Sequence, residues 1–264
     1  MRRLYLSDLH LEDPNGVHLH TLATLLESAR VDECWFLGDV CEVWIGDDDE
    51  GALATTLREL FYRASRRFRV LLMPGNRDFL FGRRLAAETG VELVNDPSIR
   101  PDGVVLAHGD EFCIDDKPYQ SLRSLFRSQA WQDEVLARSL DERRTLAASL
   151  RAQSRATNAQ KPQGIMDVNP VAVADAMRQH DAGSLVHGHT HRPGSHRHAW
   201  GTRHVLGDWG RVAWALWEPS PREFRLECLP LERRTAVKPK LGIGRLDQFR
   251  LPAQQPRQTD INPS

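Results

Sequence analysis

The sequence predicts an α/β fold, and three observations carry that reading. Short apolar runs alternate with amphipathic stretches through the first half. Polar residues with chemistry to offer fall directly after those runs. A long helix-forming segment then interrupts the alternation before strand signals resume. Residues 3–6 read as a strand and 19–28 as a helix with leucines at helical spacing. After them, 34–37 read as a strand, 53–65 as a helix, 70–73 as a strand, 84–88 as a helix and 104–107 as a strand. From 117 to 161 there is little β signal, and Leu122, Leu125, Phe126, Trp131, Val135, Leu136 and Leu140 are spaced like helix faces. This segment reads as a helical insertion or lid, extending to about residue 167. Strand signals return at 185–186, 204–206, 212–216 and 224–229. One domain over 1–232 is expected, with a polar tail at 233–264 that is loosely ordered.

The chain's 264 residues suffice for one large domain, and 41% hydrophobic with 27% charged residues excludes wholesale disorder. Its 35 basic residues against 36 acidic ones leave a net charge of -1, which argues against a globally basic nucleic-acid binder. No obligate protein partner is inferred. Cys34, Cys41, Cys113 and Cys228 are scattered without a C-x-x-C pair and have apolar neighbours, so all four are expected to be reduced core thiols of a cytoplasmic protein. The apolar residues 4–6 are broken at once by Ser7 and Asp8, too early for a secretory signal. No apolar run approaches the roughly 20 residues of a membrane-spanning helix.

The informative residues stand at the strand ends, where loops of an α/β sheet place functional groups. Asp8-Leu9-His10 follows the first strand. Positions i and i+2 of an extended segment share a face, so this carboxylate and imidazole can converge on one ion. Gly38-Asp39 follows the second strand, the glycine allowing close backbone approach beside the carboxylate. Gly75-Asn76-Arg77-Asp78 follows the third and His108-Gly109-Asp110 the next, and Gly188-His189-Thr190-His191 again sets two imidazoles at i and i+2. One aspartate beside a glycine reads as a turn or a cap. Five clusters in order, offering Asp8, His10, Asp39, Asn76, His108, His189 and His191, read instead as a binuclear metal site. Carboxylate, amide and imidazole without thiolate suit manganese, iron or zinc. Seven ligands are too many for one ion and fit two that share a bridging carboxylate. Such pairs, about 3.5–4 Å apart, stabilise the attacking and leaving oxygens in hydrolysis of phosphate esters and anhydrides. His18, His20, His180, His196 and His198 lack such a setting and read as surface residues.

The set D-x-H, G-D, G-N-x-D, H-G and G-H-x-H resembles the calcineurin-like metallophosphoesterase superfamily. The resemblance implies a four-layer αββα sandwich with a helical lid insertion, and two Mn2+ ions per chain. One ion would be held by Asp8, His10, Asp39 and His191, the other by Asp39, Asn76, His108 and His189, with Asp39 bridging. His187 falls outside the matched positions and reads as a strand-end or supporting histidine. The stretches 42–49, 75–80, 165–169 and 187–193 are similar, more narrowly, to a Gram-negative subfamily of lipid A biosynthesis, over about residues 4–230. That resemblance implies hydrolysis of the pyrophosphate of a UDP-linked 2,3-diacylated glucosamine, to UMP and the acylated sugar 1-phosphate. Attack would come from a water activated by the two metals, at the α-phosphorus.

The same resemblance implies substrate contacts at Asn76, Arg77, Asp116, Ser154, Asn158, Lys161 and His189, and peripheral residence on the cytoplasmic face of the inner membrane. Ser154, Asn158 and Lys161 are spaced for one helix face. Many superfamily members carry histidine in place of Arg77, where it can protonate an alcohol leaving group. A phosphate leaving group is already a weak base, and arginine instead offers a fork of donors to phosphate oxygens. A superfamily phosphodiesterase or nucleotide pyrophosphatase with a soluble substrate is the alternative. Between residues 117 and 161, nine basic residues face four acidic ones, a local charge of +5. Two expectations follow for that lid: an ordinary packed hairpin with solvated arginines, or an apolar groove for acyl chains with a basic rim toward anionic headgroups.

Overall fold

Residues 1–158 and 163–231 are described by the computed structural model. The expected loose tail at 233–264 lies outside the described residues, and so does Lys161. The chain opens with β1 (Arg3–Leu6) and α1 (Val17–Ser28), then β2 (Glu33–Leu37), α2 (Ala52–Ser65), β3 (Arg69–Met73) and α3 (Arg83–Thr89). Two short strands, β4 (Glu92–Leu93) and β5 (Ser98–Ile99), precede β6 (Val104–Ala107). A 3-10 turn at Asp110–Phe112 leads into α4 (Lys117–Phe126), α5 (Gln129–Leu136) and α6 (Leu140–Asn158). After a second such turn at Gln163–Met166 come α7 (Pro170–Gln179), β7 (Ser184–His187), β8 (Gly194–His198), β9 (Gly201–Val205), β10 (Val212–Glu218) and β11 (Arg225–Pro230).

The strands form two sheets, ordered β11-β10-β1-β2-β3-β4 and β5-β6-β7-β9-β8. Strand alternation builds the layers. Leu4, Leu6, Cys34, Phe36, Val70 and Leu72 face outward, against Leu22 and Leu26 of α1, Leu57 and Phe61 of α2, and Leu85 of α3. Tyr5, Trp35, Leu37, Leu71 and Met73 face inward and meet Val104, Leu106 and Val186 of the second sheet. The outer face of that sheet, Val105, Ala107 and Leu185, packs on Val173 and Met177 of α7. The expected αββα order of layers is present. Strands buried on both faces carry apolar residues at consecutive positions, which is why β1, β2, β3 and β6 read as short apolar runs.

Some expectations need correction. Cys34, Cys41 and Cys113 are buried, but Cys228 is exposed. It lies on β11, the outermost strand of its sheet, most of whose residues face solvent. Helix α7 was not anticipated, although its start carries readable signals. Asn169 caps it, its side chain accepting from the Val171 and Ala172 N–H groups at 2.9 and 3.2 Å, and Pro170 opens it. Strand β8 was also missed, because an edge strand of sequence GSHRH has no buried face to give it an apolar alternation. The lid is three helices rather than a hairpin. Helix α4 buries no residue fully, and Leu122 and Leu125 remain 47% and 48% exposed.

Candidate metal centre

The parallel strands of both sheets end along one edge, and the candidate ligands come from the residues just after them. Asp8, His10, Asp39, His189 and His191 all have positive φ, between 48° and 63°. For residues with side chains this left-handed conformation is costly and is held by the surrounding structure. It turns each side chain out of its strand direction and toward a common point. The turns are closely packed. A Cβ on Gly188 would lie 2.1 Å from both Asp8 Oδ2 and Ser7 Oγ, and one on Gly75 would lie 2.2 Å from Asp39 N and Oδ1.

The ligand atoms converge in two groups. Those of Asp8, His10 and His191 lie within 4.8 Å of one another, as do those of Asp8, Asp39 and His108. His191 Nε2 is 3.3 Å from Asp8 Oδ1 and 3.3 Å from His10 Nε2, while His108 Nε2 is 3.7 Å from Asp39 Oδ1. Asn76 Oδ1 lies 2.8 Å from His108 Nε2 and 2.9 Å from His189 Nδ1. All seven residues anticipated from the sequence therefore gather at one site.

The hydrogen bonds around the cluster orient its atoms. Ser7 Oγ and the His189 N–H donate to Asp8 Oδ2 at 2.6 and 2.9 Å, leaving Asp8 Oδ1 buried without a hydrogen bond and facing His191 Nε2. His108 Nδ1 lies 2.9 Å from the Leu37 carbonyl, which can only accept, so Nδ1 carries the proton. In a neutral ring Nε2 then points a lone pair at the Asn76 amide oxygen, which is also an acceptor. Three changes relieve that opposition: rotation of the Asn76 amide, a second proton on the ring, or a cation among the ligand atoms. Although burial opposes it, Asp39, Asp110, Asp8 and Asp96 push His108 up to about 9. A divalent cation would meet the same negative field, so the orphaned carboxylate oxygen and this donor set fit two such ions. Burial and the neighbouring His108 hold His189 down at about 4, keeping it neutral and able to ligate. His187, also fully buried, is held down to about 3 by burial and the charge of Arg203, and its Nδ1 lies 2.8 Å from the Gly188 carbonyl.

Other residues brought to the site had been given no role. Asp78 ties the turns after β2 and β3 together: its Oδ1 accepts from the Gly75 and Asp39 N–H groups at 2.8 and 3.2 Å, and its Oδ2 from the Val40 N–H at 2.6 Å. Its place in G-N-x-D was visible, but its structural task was not. Glu42 Oε2 accepts from His10 Nδ1 at 3.1 Å. Tyr119 stacks on His189 at 5.9 Å and donates its hydroxyl to Asp110 at 2.5 Å. No local signal singles out a tyrosine that reaches the site from the lid.

Beside the cluster opens a cavity of about 570 Å³. His10, Asp39, Asn76, Arg77, His189 and His191 line one end, and Trp44, Phe79, Phe126, Trp131, Leu146 and Leu150 line the part under the lid. Arg77 and Ser154 line it; so does Asp116, which also caps α4 by accepting from the Tyr119 N–H at 3.2 Å. Arg77 donates its backbone N–H to Asp39 Oδ1 at 2.9 Å, and its Nε is buried without a hydrogen bond. Asn158 ends α6.

The lid's charge follows neither expectation for most of its arginines. Five of the seven are tethers to the body, while Arg138 pairs with Glu134 inside the lid and Arg155 is exposed. Arg143 forks onto Asp48 at 2.7 and 2.5 Å and donates to the Ile45 carbonyl at 2.8 Å. Arg144 pairs with Asp49, Arg151 with Glu42, and Arg123 with Asp110 and Asp96. Arg127 Nη2 donates to the Gly75 carbonyl at 3.1 Å. The acids of the loop after β2 are the counter-charges that hold the lid down.

Residues 1–193 match the family described as calcineurin-like phosphoesterase. Similar proteins include the UDP-2,3-diacylglucosamine hydrolase of Chromohalobacter salexigens, 40% identical over 219 residues, covering 79% of this chain and 89% of that one. The protein of the same name from Aromatoleum aromaticum is 39% identical with the same coverage. Its namesake from Cellvibrio japonicus is 38% identical over 230 residues, covering 82% of this chain and 94% of its own. With matches of that extent on a cluster and layering of this kind, the chain belongs to the calcineurin-like phosphoesterases.

Proposed function

We propose that the chain hydrolyses the pyrophosphate bond of UDP-2,3-diacylglucosamine in lipid A biosynthesis, releasing UMP and 2,3-diacylglucosamine 1-phosphate. One observation carries this reading: a single cavity joins the polar ligand cluster to an apolar chamber under the lid. A substrate with a pyrophosphate at one end and two acyl chains at the other uses both parts, whereas a soluble UDP-sugar leaves the chamber to water. The name shared by the similar proteins supports the same substrate.

When bound, two divalent ions would supply Lewis-acid charge and a water acidic enough to attack phosphorus near neutral pH. Asp8, His10, Asp39 and His191 would hold one, and Asp39, Asn76, His108 and His189 the other. Arg77 presents its guanidinium beside Asp39, with Nε 3.8 Å from Asp39 Oδ2, where it neutralises charge on the phosphate oxygens as the anhydride breaks. The leaving phosphate needs no proton, so an arginine serves where an ester would call for an acid. Asp116 and Ser154 contact the substrate from the cavity wall, and the sequence resemblance adds Asn158 and Lys161 to the contacts.

Carboxylate, imidazole and amide donors without thiolate favour manganese over a thiophilic metal, and activity across a panel of divalent ions after chelation tests this. We place the protein peripherally on the cytoplasmic face of the inner membrane. Among the described residues no helix is long and apolar enough to cross a membrane, and Leu122, Leu125 and Leu136 of the lid stay exposed. A substrate drawn from a bilayer is best met there. Co-sedimentation with anionic vesicles should fall when Leu125 and Leu136 are changed to serine; unchanged sedimentation would refute the placement. The function is tested by comparing turnover of the acylated UDP-sugar with that of soluble UDP-sugars, and preference for the soluble ones would overturn it.

A further inference from the structure

Outside the ligand set, one carboxylate touches both halves of the cavity. Backbone pairing continues past the ends of β1 and β2. His10 donates its N–H to the Asp39 carbonyl at 3.1 Å, Leu11 to Val40 at 3.0 Å, and Glu42 to Leu11 at 2.9 Å. These bonds fix Glu42 across from His10. Glu42 Oε2 accepts from His10 Nδ1 at 3.1 Å, so the lone pair of Nε2 is left to face the cluster, 3.3 Å from His191 Nε2. The other oxygen, Oε1, is ion-paired with Arg151 of α6, and the two side chains are only 23% and 14% exposed. Helix α6 meets the loop after β2 through Arg143–Asp48, Arg144–Asp49 and Arg151–Glu42. Of these three pairs, the last alone continues into the ligand cluster.

We propose that Glu42 is a positioning residue that couples the seating of α6 to the loading of the metal centre. This rests on the reading of His10 as a ligand. A cation at Nε2 makes the Nδ1 proton a stronger donor and fixes the Glu42 carboxylate in one place. The fixed carboxylate then offers its second oxygen to Arg151, and the seated α6 brings Leu146 and Leu150 over the apolar chamber. The coupling is reciprocal: loading tightens the lid, and a lid held down by acyl chains tightens the metal site. The acyl-binding chamber therefore takes its closed shape in the loaded protein.

The test uses the full chain. Mn2+ binding is followed by calorimetry and α6 amide exchange by mass spectrometry, in chelated and loaded protein, for wild type, Glu42→Gln, Arg151→Met and Asp49→Asn. In wild type, Mn2+ slows exchange in α6. Glu42→Gln lowers Mn2+ affinity by roughly 10–100-fold and abolishes the metal-induced slowing, both together. Arg151→Met leaves α6 exchanging fast with or without metal. Asp49→Asn loosens a tether that reaches no ligand, so it speeds α6 exchange in both states while the response to metal and the affinity persist. Circular dichroism of the chelated variants checks folding, and should Glu42→Gln fail to fold, Arg151→Met carries the test. Wild-type affinity or an undiminished metal response in Glu42→Gln overturns the coupling, as does a wild-type response of α6 in Arg151→Met. A wild type that takes up no divalent ion refutes the metal reading instead.

Discussion

The floor of the cavity and its lid are held in place by different means. On the floor, candidate ligands sit on tight turns with positive φ, packed against one another, with Ser7 and neighbouring N–H groups donating short hydrogen bonds and Asp78 accepting them. The lid helices bury few residues and are held by arginines that reach across to acids and carbonyls of the body. The difference teaches a division of labour. Hydrolysis at phosphorus needs atoms fixed within tenths of an ångström. Admission of a lipid calls for a cover that can part, and helices that bury few residues open more readily than a packed floor.

The sharpest break should come on the floor. Asp39→Ala removes the carboxylate proposed to serve both ions and should lower kcat by more than the roughly 10–100-fold typical of losing an outer partner. Near-normal turnover in that variant would contradict the assignment. Arg77→Ala should cost about 10²–10³-fold in kcat, with Arg77→Lys restoring only part, because the charge returns without the fork. Gly188→Ala should destabilise the metal-free protein by about 1–3 kcal/mol through the clash with Asp8 and Ser7, read as a lowered Tm in chelator. A Tm at the wild-type value would show the floor to be softer than described.

Lid substitutions sharpen the same contrast. Phe126→Ala should raise KM for the acylated substrate by about tenfold, the scale of one partly lost aromatic contact, while leaving turnover of soluble UDP-sugars unchanged. Equal effects on both substrates would make Phe126 a structural residue alone. Arg144→Ala removes one half-exposed tether and should leave the global Tm and turnover at wild-type values.

The same contrast governs what the sequence reveals. The floor is legible because strand ends are short and local: an apolar run announces β1 or β2, and Asp8, His10 and Asp39 follow within a few residues. Residues buried on both faces of a strand leave a plain signature, and so does glycine where a side chain would clash. Partnerships across the fold leave none. Glu42 and Arg151 stand 109 residues apart and meet only once α6 lies over the loop after β2. Tyr119 reaches His189 by the same long route. The lid's positive charge was visible, but its meaning depended on the acids of 42–49, which the fold sets beneath it. Helix α7 is a different case, since Asn169 and Pro170 announce it locally.

The central claim is that a two-metal floor and an apolar lid chamber act on one lipid-linked pyrophosphate. Its most direct test is hydrolysis of UDP-2,3-diacylglucosamine by chelated protein titrated with Mn2+, alongside soluble UDP-sugars. Turnover should be absent in chelator and return with Mn2+, releasing UMP and the acylated sugar 1-phosphate, with a clear preference in kcat/KM for the acylated substrate. Metal-independent hydrolysis, or soluble UDP-sugars cleaved as well as the acylated one, would contradict it.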